Sequence, residues 1–223
     1  MATSGMDRRT SHDELGPRAI AILLVLLAVL GAGASTHARV GYDWAALLRA
    51  AGSRQDPESL LMQATAYLNL GRVVQAVTII DELGRMGGRE MVPPVLASCA
   101  ERLRTDPADL PALYCLAAGH FTLQETGPAL AHLRRVIELD PSNPWPLVLM
   151  SLAQLSGGDE AGARASAERA LAVDRGNQYA HLILSQIDLR QHNYWGFVVH
   201  YLAAPDASRE MLDYLRRKQE ASR

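Results

Sequence analysis

Three stretches of this sequence superimpose at a fixed interval of 34 residues: AERLRTDPADLPAL from Ala100, RRVIELDPSNPWPL from Arg134 and ERALAVDRGNQYAH from Glu168. An Asp recurs at Asp106, Asp140 and Asp174, and a second turn-former follows at Asp109, Asn143 and Asn177. A unit of this length is two short helices and their turns. One helical hairpin cannot bury its apolar stripe alone, so a chain that repeats the unit is committed to stacking its copies. Within each unit, apolar residues fall at i, i+3, i+4 and i+7 of a first helix, and small residues mark the crossing point of a second. The Asp suits a cap or a turn, and a proline at the start of the next helix sacrifices no hydrogen bond.

The pattern resembles the tetratricopeptide repeat. The unit from Pro57 supplies Leu60, Ala64, Tyr67, Gly71, Ala76, Ile80 and Leu83, and the unit from Leu110 supplies Leu113, Leu116, Ala117, His120, Ala129, Leu133, Val136 and Pro141. The unit from Pro144 supplies Leu147, Met150, Ser151, Ala163, Ala167 and Ala170. The unit from Gln178 departs furthest: it keeps Leu184, Ser185, Tyr201 and Ala204 but places Phe197 where a small residue is expected. That helix pair is expected to be splayed or terminal.

The period breaks once. Asp56-Pro57 precedes Asp106-Pro107 by 50 residues, which is 34 plus 16, the length of one helix and its loop. The segment Val92 to Arg104, after the Gly-rich GRMGGRE, is expected to be that extra helix and to disturb the alternation of the stack. The C-terminal SREMLDYLRRKQEASR is amphipathic and suits a capping helix. The expected fold is an all-α solenoid of about four tetratricopeptide-like pairs over 57–204, with one extra helix and a C-terminal cap over 205–223. A lead-in segment over 39–56 precedes it.

Between Arg18 and Arg39 lie 20 residues without Asp, Glu, Lys or Arg. A helix of that length rises about 30 Å and just spans a hydrocarbon layer. Residues 19–38 are read as a single-pass anchor behind a leader of 1–18. Arg18 at the membrane edge favours a cytoplasmic N-terminus, which puts the repeat domain on the extracytoplasmic or periplasmic side. The alternative is a cleaved signal peptide, because the small-x-small sites at Ala32–Ala34 and Thr36–Ala38 follow the apolar run. Cleavage would release a soluble repeat module.

Net charge of −2 gives no footprint for nucleic acid. No motif for a zinc protease, a phosphate loop, a nucleophile elbow or haem attachment occurs. His181, His192 and His200 fall on a first helix, a turn and a second helix, and no Cys or acidic pair accompanies them, so no metal or other cofactor is expected. Glu101, Glu138 and Glu168 sit among arginines and read as solvated ion-pair faces. Cys99 and Cys115 read as two small buried hydrophobes, with a disulfide as the alternative. The expectation is a protein without enzymatic activity.

The resemblance implies a concave surface lined by first helices. The positions that map onto it are Leu61, Leu68, Tyr114, Phe121, Trp145, Val148, Leu152, Leu155, Tyr179, Leu182 and Leu189, an apolar and aromatic groove. The Lys, Arg and Asn with which some family members grip a C-terminal carboxylate are absent from these positions. Two occupants fit such a groove: a protein partner, or the chain's own C-terminal or lead-in helix. The expected partner is one or more proteins of a membrane complex.

Overall fold

A computed structural model describes residues 42–221. Over that range the chain is helices and turns, with no strand among the described residues. In chain order the helices are α1 (Trp44–Ala51), α2 (Pro57–Asn69), α3 (Val73–Arg85), α4 (Gly88–Thr105), α5 (Leu110–Thr122) and α6 (Thr126–Leu139). There follow α7 (Trp145–Ser156), α8 (Glu160–Val173), α9 (Gln178–Arg190), α10 (Tyr194–Leu202) and α11 (Pro205–Ala221). Residues 19–38, read from sequence as an anchor, lie outside the described residues. No described helix is long and apolar enough to cross a membrane.

The repeated turn is one structure built three times. The carbonyls of Asp106, Asp140 and Asp174 accept from the backbone N–H of Asp109, Asn143 and Asn177 at 3.1, 3.2 and 3.0 Å. Asp109 and Asn177 then cap the next helix, accepting from the N–H of Ala112 and Ala180 at 2.9 and 3.0 Å. Such a side chain satisfies a donor that a helix start leaves without a partner. Asn143 is used differently, as described below.

A second motif recurs at the same interval inside each pair. Gln124, Gly158 and His192, 34 residues apart, all close their turns at positive φ of 64°, 83° and 57°, and Gly71 does so in the first pair at 74°. Two side-chain-bearing residues thus accept a backbone region that normally favours glycine. The turn is dictated by how the two helices pack and not by its own residue.

Small residues set the crossings. Ala163, Ala167 and Ala170 of α8 are fully buried, and Ser151 Oγ of α7 donates to the Ala163 carbonyl at 2.6 Å. In α10 the equivalents of Ala163 and Ala167 are Phe197 and Tyr201, whose rings stack at 5.4 Å while Tyr201 stays exposed. The bulk expected to splay this pair pushes side chains outward, and none of α10 is buried.

The extra segment is a helix, but it begins at Gly88, a turn earlier than its sequence pattern indicates. Pro93 and Pro94 oppose the carbonyls of Arg89 and Glu90, in the exposed first turn, where the interference costs least. Its effect on the stack is to displace a neighbour. First helix α2 packs against α5, and α4 packs against both, so these three continue the regular layers. Helix α3 is turned inward, where Val73, Val77 and Ile80 face Phe121 of α5 and Leu152 of α7 across a cavity.

The C-terminal helix does more than cap. It packs on α9 and α10, and reaches the first pair, where Tyr214 Oη donates to Asp81 Oδ2 of α3 and Lys218 Nζ lies 2.7 Å from the same oxygen. Burial and the Asp81 hydrogen bond both push the Tyr214 hydroxyl above its ordinary range, so it remains a donor. Because the ion pair is partly exposed, removing it should cost at most about 1 kcal/mol overall. Its effect is local: Asp81→Ala is expected to speed amide exchange across α11 and leave α7 and α8 unchanged. Uniform acceleration would mean that the contact holds the whole stack.

Candidate interaction surface

The groove positions separate by burial. Leu61 is fully buried in a core formed by α2, α4 and α5 with Leu60, Val92 and Leu116. Val148, Leu155, Tyr179 and Leu182 are buried in a second core, shared with Val73 of α3 and Tyr214 of α11. Trp145 is half-buried, its ring edge-on to Tyr179 at 5.2 Å, and it packs over the turn at Gly71. A Cβ on Gly71 would stand 3.5 Å from that indole, in addition to the strain of its φ. Four of the groove positions are therefore packed in a core to which the chain's own α3 and α11 contribute. Leu189 lies apart from this, exposed at the end of α9.

Tyr114 belongs to a buried polar network that ties three units together. Asn69 Oδ1 accepts from Tyr114 Oη at 2.9 Å and from Asn143 Nδ2 at 2.8 Å. Asn69 Nδ2 donates to the Thr65 carbonyl at 3.0 Å, and Asn143 Oδ1 accepts from the Trp145 N–H at 3.1 Å. The turn-former that does not cap in the ordinary way thus spends its amide on two neighbouring units. Trp44 of α1 packs edge-on against the Tyr114 ring at 5.1 Å and closes this end of the core.

What remains accessible in the groove is a cavity of about 100 Å³ between α2, α3, α5, α6 and α7. Leu68, Ile80, Phe121 and Leu152 line it and are half-buried; Leu133 and Ala153 are buried in its wall. Thr65 also lines it, 1% exposed, and its Oγ1 has no hydrogen-bond partner. Buried polar atoms are nearly always paired, so this hydroxyl marks a position where a donor or acceptor would be accommodated.

The structure brings together two histidines that the helix frame keeps on separate elements. His181 Nδ1 and His200 Nδ1 are 3.0 Å apart, and His200 Nε2 is 3.9 Å from Asp188. Asp188 is buried, and its Oδ1 accepts from Arg164 at 2.6 Å and Asn193 at 3.1 Å. Gly196 makes room for it, since a Cβ there would come within 2.5 Å of Asp188 Oδ2. Burial, and then the neighbouring His181, lower the His200 pKa against the opposing pull of Asp188. No group of three or more potential ligands is placed to hold a metal ion among the described residues. His192, at its turn, is within 3.3 Å of Tyr194 Oη.

The glutamates behave as surface charges: Glu101 pairs with Arg104 at 3.0 Å and Glu138 with Arg135 at 2.8 Å, all exposed. Cys99 and Cys115 are free thiols buried in the core that α4 and α5 share. The neighbouring Cys99 and burial push the Cys115 thiol up.

Sequence alone leaves Trp195, beside Tyr194, between an interaction surface and the packing of the last unit; in the structure both are exposed on α10. Tyr194, Trp195, Val198, Val199 and Leu202 are all exposed, and their i, i+1, i+4, i+5, i+8 spacing aligns them on one side of the helix. The available signal was the substitution of large for small residues in the last unit, which says that this helix cannot nest as the others do.

The sequence matches no protein-family model and no curated relative. Among solved structures it is similar to MamA, at 16% identity over 79% of this chain and 87% of that chain, with a TM-score of 0.43. It is also similar to the MamA RS-1 ArsTM double mutant, at 19% identity over 78% and 84% of the two chains, with a TM-score of 0.43. The third is MamA 41-end from Desulfovibrio magneticus RS-1, at 19% identity over 76% and 84%, with a TM-score of 0.42.

Proposed function

We propose that this chain is a non-enzymatic interaction scaffold, held at the outer face of the cytoplasmic membrane by residues 19–38. Its repeat domain binds a protein subunit of a larger membrane complex, of respiratory, photosynthetic, secretion or pilus type, as an accessory subunit or assembly factor. The observation that carries the reading is the apolar cavity between α2, α3, α5, α6 and α7, with the buried, unpartnered Thr65 hydroxyl in its wall. At about 100 Å³ it is smaller than the roughly 150 Å³ engineered cavity that takes up benzene, and suits one aliphatic side chain. The occupant is a peptide segment that inserts such a side chain and hydrogen-bonds Thr65 Oγ1 through a polar group. Tethering raises the effective concentration of the site toward membrane partners.

Gentle detergent extraction of the full chain, followed by native sizing, tests this. Co-migration with a defined membrane complex is expected, together with its loss in Ala118→Leu, which fills the cavity from a half-buried wall position. The unfolding temperature of that variant should stay close to that of the parent. Co-migration that survives Ala118→Leu would remove the cavity from the interface. Recovery as a free soluble protein, shortened before Tyr42, would overturn the anchor and leave a secreted or periplasmic binding module.

A further inference from the structure

The exposed side of α10 has the make-up of a surface that rests on lipid. Trp195 is 79% exposed and Leu202 70%, and between Arg190 and Asp206 there are 15 residues with no Asp, Glu, Lys or Arg. No side chain of α10 is buried, although the helix is among the most apolar in the protein. Trp and Tyr are the residues that settle where hydrocarbon meets headgroups, because each joins an apolar ring to a polar tip. Tyr194 and Trp195 stand at one end of the stripe and Leu202 at the other, with Val198 and Val199 between.

Position in the fold selects lipid over another protein surface. In each pair the first helix starts, and the second ends, at the edge of the stack that carries the repeated turns. Tyr42 emerges at that edge, beside Asp109 and Arg102, and α10 runs toward the same edge, ending at Leu202. From Ala38 to Trp44 an extended chain covers at most roughly 20 Å, so a bilayer that holds residues 19–38 is never far from this edge. A second copy would have to be recruited, and the protein partner proposed above is assigned to the Thr65 cavity.

We infer that α10 is an interfacial membrane contact, its Tyr194–Trp195–Val198–Val199–Leu202 side seated among lipid headgroups and upper acyl chains. The helix lies on the bilayer and does not cross it. Together with the apolar segment it fixes the tilt of the stack and turns the Thr65 cavity at a set angle to the membrane. The inference rests on the tether proposed above.

Tryptophan depth quenching tests it on the full chain. The protein has three tryptophans, and none lies in the apolar segment, so that segment contributes no background. Full-length protein is reconstituted into phosphatidylcholine–phosphatidylglycerol vesicles, with or without bromine near the carbonyl end of the acyl chains. The Trp195 component is the difference between the parent and Trp195→Phe, a change at an exposed position. Bromolipid is expected to reduce that component about twofold or more, and the vesicles to protect it from aqueous acrylamide. Flotation with the vesicles but an unquenched Trp195 overturns the inference and leaves the tether standing. Protection from acrylamide without lipid quenching also overturns it, and assigns α10 to a protein contact. Failure to float overturns the tether, and this inference with it.

Discussion

Arg164→Met should destabilise the protein by about 3 kcal/mol, seen as a lower denaturant midpoint at an unchanged slope. Asp188 is 1% exposed and its closest cation is the Arg164 guanidinium, 2.6 Å away. Without it the carboxylate keeps Asn193 and the more distant His200, and its Oδ2 has no hydrogen-bond partner even in the parent protein. A charge left in the interior costs more than the pair gained, so the double variant Arg164→Met, Asp188→Leu should regain much of the loss. Equal losses in the single and double variants would show that Arg164 acts through its packing alone. The pH dependence has a definite sign. The folded-state pKa of His200 is depressed, so the unfolded chain binds more protons, and stability falls as pH drops through the ordinary histidine range.

Asn69→Leu is the second large effect, about 3 kcal/mol against about 1 for Tyr114→Phe. The asymmetry follows from the geometry. Asn69 Oδ1 is the acceptor shared by Tyr114 Oη and Asn143 Nδ2, so its removal affects two buried donors in two other units. Loss of the Tyr114 hydroxyl leaves the Asn69–Asn143 bond intact. Thermal unfolding of both variants checks this. Losses of the same size would mean that the shared acceptor does not join the units and that each bond acts alone.

The parts of the fold that could be read from sequence are those a local rule produces. Asp106, Asp140 and Asp174 turn the chain through short-range hydrogen bonds that any copy of the motif can make, and the buried alanines of α8 stand where the periodicity put them. What escaped depends on contacts between distant segments. Nothing near Asp81 says that Tyr214 will meet it, and nothing near His181 says that His200 will come within 3.0 Å. The inward turn of α3 is of this kind too. The 16-residue excess shows that the alternation fails, but which helix is displaced is decided by the competition between α3 and α4 for the layer beside α5. The groove was legible as a list of apolar positions. The core that four of them share with α3 and α11 was not, because a list of positions cannot distinguish a surface awaiting a partner from one already covered.

The bond between α11 and α3 has a consequence for how the molecule comes to be folded. An open array of repeats gains stability unit by unit, from neighbour contacts, and can begin folding anywhere along its length. Here Asp81 and Tyr214 are 133 residues apart, and a contact of that range must meet the entropy of closing the intervening chain before it returns anything. The first pair can form its hairpin early in synthesis, but the wall that α11 supplies exists only after the last helix has been made. Until then α3 presents an acidic side chain and an apolar flank to whatever is near. Residues 205–221 therefore complete a contact that begins in the first pair, and a nascent chain paused before Pro205 would hold every repeat and still lack the local tie between α11 and α3.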